Sequence, residues 1–274
     1  MITDLIELPE PSREAGFPIL GKAEYQQPSQ SIKHRTARSM IETAMTSGEL
    51  QPGDTVVEAT AGNTGIGLAH IASEYDLRVV IFMYQGSPHK AKRMRELGAR
   101  VFEIPLQSAD HPDSKVNQCL RFCDRMPGRV WYADQYNNPA NPAAHQYTAE
   151  EIFQQRPDIG GIACTVGTGG TLAGIQQWCD RHRPLTRIAR IDCEPNTRAE
   201  GIGGGTPSRV LSSLRPTDRF TVTDSEAFRW WSGADWGPSA CVNIEGAVRL
   251  ARRIQAPVAT VLCDSGSLYP DFIE

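Results

Sequence analysis

Lys33 stands in the run Gln30-Ser-Ile-Lys-His-Arg35, and Ile32, Ala37, Met40, Ile41, Ala44 and Met45 after it share one helical face. Ser31 is a natural N-cap for that helix, and Gly48 with Pro52-Gly53 ends it. The lysine therefore falls in the first helical turn, where the helix dipole disfavours an ammonium. That is an odd place for a merely structural lysine. Two glycine-rich turns accompany it. Glu58-Ala-Thr-Ala-Gly-Asn-Thr-Gly-Ile-Gly67 follows the β-branched run Thr55-Val-Val and opens into a helical pattern over 66–73. Backbone N–H groups and the positive end of the helix dipole gather there, a setting for a carboxylate or a phosphate. Gly167-Thr-Gly-Gly-Thr171 is the sharper anion turn, because glycines admit an oxyanion close to the backbone and threonine hydroxyls add donors. It lacks the Gly-Lys-Ser/Thr of a P-loop. It also departs from Gly-x-Gly-x-x-Gly, since position 172 is Leu and the third glycine comes only at Gly174. A late strand ends in Asp264-Ser-Gly266.

The elements that must position these residues alternate. From Thr55 strands read at 55–58, 78–83, 100–105 and 130–134, with helices at 66–73, 87–97 and 115–125 between them. Asn137-Asn-Pro-Ala-Asn-Pro142 breaks the chain, and a second series follows with strands at 161–166, 187–193, near 220 and at 258–263. This is the pattern of mostly parallel sheets covered on both faces, so the expected class is α/β with two Rossmann-like lobes and a cleft between them. The 28 basic and 32 acidic side chains leave a net charge of −4, which offers no basic surface for nucleic acid. No apolar run approaches the roughly 18 residues of a membrane span. The start, Met-Ile-Thr-Asp-Leu, lacks the basic and apolar sections of a signal peptide. Seven scattered cysteines without a Cys-x-x-Cys are expected to be reduced residues of a cytoplasmic protein, with no metal site.

Taken together, a first-turn amine, a phosphate cradle, a carboxylate seat and a strand-end hydroxyl are what a pyridoxal phosphate enzyme needs. The chain resembles the cysteine synthase and cystathionine β-synthase group of fold-type II pyridoxal phosphate enzymes, related in fold to the tryptophan synthase β chain. Four motifs carry the resemblance in order: Ser-Ile-Lys-His-Arg, Thr-Ala-Gly-Asn-Thr-Gly, Gly-Thr-Gly-Gly-Thr and Asp-Ser-Gly. Gln135 with Asn-Pro-Ala-Asn-Pro, and Gly201-Ile-Gly, support it. The resemblance implies that Lys33 binds the cofactor aldehyde and serves as the catalytic base at the substrate α-carbon. It implies that Asn63 meets the phenolic oxygen, that Gly167, Thr168, Gly169, Gly170 and Thr171 hold the phosphate, and that Ser265 faces the ring nitrogen. Thr60, Ala61, Gly62, Thr64, Gln135 and Gly201 are the implied substrate contacts. The implied domains are 1–38 plus 137–274, which binds the phosphate, and a smaller mobile 39–136, which carries the asparagine loop. A homodimer is implied as well.

The implied reaction is β-replacement on serine-type amino acids through an aminoacrylate. A lyase of the same fold, of the cysteine desulfhydrase or serine/threonine dehydratase type, is the alternative, as is a non-catalytic homologue that binds cofactor or amino acid. Several positions depart from the group's pattern. Gln30 replaces a glycine, His34 an aspartate, Ala61 a serine, and Ser239-Ala-Cys241 a more glycine-rich turn. His34 is expected to be a solvated helix-start side chain, and Trp230, Trp231 and Trp236 to pack in the core or at a subunit contact. The late start and the early stop after Ser265 suggest shortened partner-embracing elements.

Overall fold

The computed structural model describes all residues except 109, 127, 204–207, 234, 273 and 274. The chain divides into two compact units, Met1–Ile32 with Pro142–Glu274 and Lys33–Asn141. The sequence-based boundaries at 38/39 and 136/137 lie a few residues from these; the first would have cut the unbroken helix Lys33–Ser47, which stays whole in the second unit.

The first unit opens with strand β1 (Leu5–Glu7), helix α1 (Pro9–Ala15) and strand β2 (Ile19–Ala23). Pro9 supplies a helix-ready φ at the first position of α1, and Gly16 at φ 76° closes it in the left-handed conformation. The second unit then runs α2 (Lys33–Ser47), β3 (Thr55–Ala59), α3 (Asn63–Ala72), β4 (Arg78–Tyr84), α4 (Pro88–Glu96), β5 (Arg100–Ile104), α5 (Lys115–Arg125) and β6 (Val130–Tyr132). Helix α6 (Ala140–Gln155) leads back to the first unit. There follow β7 (Gly161–Thr165), α7 (Gly170–His182), β8 (Arg187–Cys193), α8 (Arg209–Ser212), β9 (Asp218–Val222), α9 (Asp224–Ala227), α10 (Pro238–Ile254) and β10 (Val258–Leu262).

The first unit carries a six-stranded sheet in the order β1-β2-β10-β7-β8-β9, parallel throughout except for the β1–β2 hairpin. The second carries a four-stranded parallel sheet, β5-β4-β3-β6. Strands β2, β3, β7 and β10 are buried along their whole length, which is why they read as apolar runs rather than as alternation. The α/β class with two sheets thus agrees with the sequence reading. Helix α10 lies at the centre of one core, with Val242, Ile244, Ala247, Val248 and Leu250 fully buried. Trp230, Trp231 and Trp236 pack on that core, half-buried. The seven cysteines are all free thiols.

Candidate active site

Lys33 is the first residue of α2 and so lies in its first turn, as expected, but Ser31 is not its cap. Ser31 instead forms a β-bridge with Asp264, and the Ile32 N–H donates to the Cys263 carbonyl at 2.7 Å. Tertiary pairing holds the chain extended through position 32, so the helix begins one residue later. Gln30 sits at φ 58°, the left-handed conformation that glycine adopts without penalty, which accounts for the glycine expected there.

In the second unit, α2 is packed tightly on α3. A Cβ at Gly67 would come within 2.8 Å of the Lys33 carbonyl oxygen and 3.2 Å of the Ala37 Cβ. The missing side chain at 67 thus lets the lysine's backbone rest against the helix that Asn63 opens. Alanine within a helix ordinarily stabilises by about 1 kcal/mol relative to glycine. Here Gly67→Ala is expected to do the reverse, costing about 1–3 kcal/mol through overpacking. A urea midpoint at or above the wild-type value would contradict this packing.

The loop before α3 is held from several sides. Thr60 N–H donates to the Phe82 carbonyl at 3.0 Å, and the Thr60 hydroxyl accepts from Gly62 N–H at 3.1 Å. Gly62 has φ 149°, and a Cβ there would lie 2.5 Å from the buried Lys90 stem, so only glycine fits. Ala61 is exposed and Asn63 half-buried at the first position of α3. The Thr64 hydroxyl donates to Gln135 Oε1 at 2.7 Å. Gln135 N–H donates to Glu58 Oε2 at 3.2 Å, and its carbonyl accepts from Asn141 Nδ2 at 2.7 Å. Glu58 Oε1 accepts from Ala59 N–H at 2.9 Å, and Thr36 on α2 donates to Asn141 Oδ1 at 3.2 Å. The structure thereby brings Thr64 and Gln135 into one buried network with the Lys33 helix, while the bonds of Thr60 go to Phe82 and, within its own loop, to Gly62. Glu58 and Asn141 are members that the sequence reading missed. An acidic residue closing the apolar strand Thr55-Val-Val was the available signal.

In the first unit the second anion turn joins β7 to α7. A Cβ at Gly167 would land on the Gly201 carbonyl, and Gly203 N–H donates to the Val166 carbonyl at 2.9 Å, so the 201–203 segment lies against the turn. The remainder of that glycine run falls outside the described residues. Gly169 is left-handed at φ 87° and would place a Cβ 3.0 Å from the Leu211 Cα. The Thr168 hydroxyl accepts from Gly170 N–H at 3.2 Å. Ser208, also unanticipated, donates to the Thr168 carbonyl at 2.9 Å while capping α8 through Leu211 N–H. The thirteen residues of α7 bring the positive end of their dipole to this turn.

Ser265 follows β10, the sheet neighbour of β7, so both features lie at the carboxyl ends of adjacent parallel strands. Such edges are where ligands bind in open α/β sheets. Ser265 N–H donates to the Gln30 carbonyl at 3.0 Å, and its hydroxyl accepts from Ser267 N–H at 3.2 Å as a turn cap. Tyr269 donates to Asp264 Oδ2 at 2.5 Å and braces the segment.

Two titratable groups of the second unit are perturbed. His34 is 5 % exposed, not solvated as expected, because it packs edge-on to His70 at 5.3 Å. Burial, then the charges of Arg38 and His70, pushes its imidazole down to about 4. Glu58 is fully buried, and burial pushes its carboxyl up to about 8 against the opposing pull of the Gln135 and Ala59 N–H groups.

Residues 2–264 match the family model described as "Pyridoxal-phosphate dependent enzyme". The chain belongs to this family. Within it the cysteine synthase and cystathionine β-synthase group is the one matched. The chain is 32% identical to cysteine synthase 1 of Neurospora crassa, over 98% of this chain and 80% of that one. It is 37% identical to cystathionine β-synthase of Mus musculus, over 92% of this chain and 50% of that one. The fold matches the O-acetylserine dependent cystathionine β-synthase of Helicobacter pylori with a TM-score of 0.90, covering 99% of this chain and 95% of the other, at 24% identity. As a member of this family the chain is an enzyme that uses pyridoxal 5'-phosphate. Its residues fit that group on their own terms. The turn at Gly167 and Gly169 has no room for a Cβ, its hydroxyls and helix end suit a phosphate monoester, and the Ser29 and Ser31 hydroxyls, shortly before Lys33 in the chain, are buried without a hydrogen-bond partner among the described residues.

Proposed function

We propose that this chain is a cysteine synthase-like enzyme that exchanges the β-substituent of a serine-type amino acid. The observation that carries this reading is the packing of the Lys33 backbone against Gly67, which sets the lysine's helix beside the Thr60–Thr64 loop and Gln135. When bound, pyridoxal phosphate supplies an electron-poor ring that stabilises negative charge at the substrate α-carbon. Lys33 Nζ would hold the cofactor aldehyde and, once the substrate's amino group has displaced it, the freed amine would take the α-proton. Asn63 would meet the phenolic oxygen, and Gly167, Thr168, Gly169, Gly170 and Thr171 would take the phosphate. Thr60, Ala61, Gly62, Thr64, Gln135 and Gly201 receive the substrate, its carboxylate falling to the loop and Gln135.

Ser265 would present a neutral hydroxyl to the ring nitrogen. A hydroxyl does not keep that nitrogen protonated as a carboxylate would, which favours loss of the β-substituent over transamination. The larger unit is assigned to the phosphate and the smaller to the asparagine loop. A cytoplasmic homodimer is the form in which we expect the enzyme to work, and light scattering on the purified protein tests its size.

The decisive assay incubates the holoenzyme with O-acetylserine, serine and cysteine, each with and without sulfide, and identifies the products. Cysteine formed from O-acetylserine only when sulfide is present is the expected result. Pyruvate and ammonia released regardless of sulfide would make it a lyase instead. Bound cofactor with no product from any of the three would make it a binding homologue.

A further inference from the structure

We propose that Glu58 is a positioning residue that holds Gln135 in place as a donor to the substrate carboxylate, an inference that rests on the function proposed above. Glu58 is the penultimate residue of β3, and its side chain is wholly inaccessible. A carboxyl group removed from water is costly unless its oxygens are hydrogen-bonded. Both oxygens are engaged, one by the N–H of Ala59 and the other by the N–H of Gln135, 77 residues on. That second bond crosses from β3 to the segment after β6, its neighbour in the sheet.

Gln135 is consequently held at three points. Its N–H goes to Glu58, its carbonyl to the Asn141 amide, and its side-chain oxygen to the Thr64 hydroxyl. With Oε1 occupied by Thr64, the atom left to serve a carboxylate is the Nε2 amide, a donor. The Thr64 proton is committed to Gln135 in the same bond, so Gln135 rather than Thr64 is the donor of this pair. A seat for an anion needs its donors fixed before the ligand arrives, since ordering them on binding subtracts from affinity. Glu58 does this through the backbone without touching the substrate. The Asn141–Thr36 bond ties the same residue to the Lys33 helix.

The test uses holoenzyme of the wild type, Glu58→Gln and Glu58→Ala, with L-alanine as the probe. L-alanine carries the α-carboxylate but no leaving group, and its binding is read from the cofactor absorbance. Hydrogen exchange at the Gln135 amide is measured on the same samples without amino acid. Glu58→Ala is expected to raise the L-alanine dissociation constant about tenfold, with Glu58→Gln in between because it keeps one acceptor. KM for the reacting substrate should rise similarly while kcat stays within about threefold, and the cofactor band should be unchanged. The Gln135 amide should exchange about tenfold faster in Glu58→Ala. Unchanged L-alanine affinity, or unchanged exchange at Gln135, overturns the proposal, as does loss of cofactor together with affinity. Should Glu58→Ala not fold, Glu58→Gln alone decides by the same readings. If wild-type holoenzyme gives no spectral response to any amino acid, the proposed reaction fails, and Gln135 exchange alone judges the clamp.

Discussion

Lys33→Ala is expected to lower turnover by about 10³-fold or more and to abolish covalent attachment of the cofactor. The sequence holds five lysines, and the structure distinguishes them. Lys22 is fully buried and committed to Glu151 at 2.7 Å and to the Thr3 carbonyl. Lys90 is buried with its stem against Gly62. Lys92 is an exposed partner of Glu96, and Lys115 lies over the Tyr84 ring at 5.1 Å. Lys33 alone begins a helix packed on the asparagine loop. Borohydride reduction followed by peptide mass spectrometry should place the label on residue 33 in the wild type and nowhere in the variant. A label on another lysine in wild-type protein would sink the assignment.

Stability is expected to fall as pH rises between about 6.5 and 8, and the cause is Glu58. Its folded carboxyl stays protonated up to about 8, whereas an unfolded glutamate ionises near 4.5. Over that interval the folded state binds more protons, so each pH unit lowers the unfolding free energy, by at most about 1.4 kcal/mol for one group. The loss begins at the unfolded value and is complete once the folded carboxyl ionises. His34 works in the opposite sense. Its folded imidazole titrates near 4 and an unfolded one near 6.5, so its contribution rises with pH across that lower window. The two offset each other below about 6.5, and only Glu58 remains above it. Urea midpoints of wild type and Glu58→Gln, followed from pH 5 to 9, separate them. The difference between the two proteins should shrink toward acid and reach a plateau above pH 8. A pH-independent difference would show that Glu58 is already ionised at neutrality.

Much of the site was legible because its chemistry sits on contiguous motifs. Glycine and threonine runs at 60–67 and 167–171 announce sharp turns at the ends of β-branched strands, and both occur there. Helix α5 lies where its periodicity placed it, 115–125. What escaped depends on distance along the chain. Glu58 and Asn141 have meaning only through Gln135, and Ser208 only through Thr168, forty residues earlier. Ser31 has the right type for a cap, yet its bridge to Asp264 outweighs that local preference. His34 reads as polar and therefore solvated, until His70 covers it from the facing helix. Strand β1 and helix α1 were missed because three residues and seven are too few to display a period.

Strand β10 is the last of the strands among the described residues to be synthesised, yet it lies in the interior of its sheet, between β2 and β7. Until it emerges, the hairpin of β1 and β2 has an open edge and no neighbour on that side. The stretch from Lys33 to Asn141 has all four of its own strands by then and can fold while the rest of the first unit is still on the ribosome. A stop codon just before Val258 would leave the two remaining parts of the larger sheet unjoined.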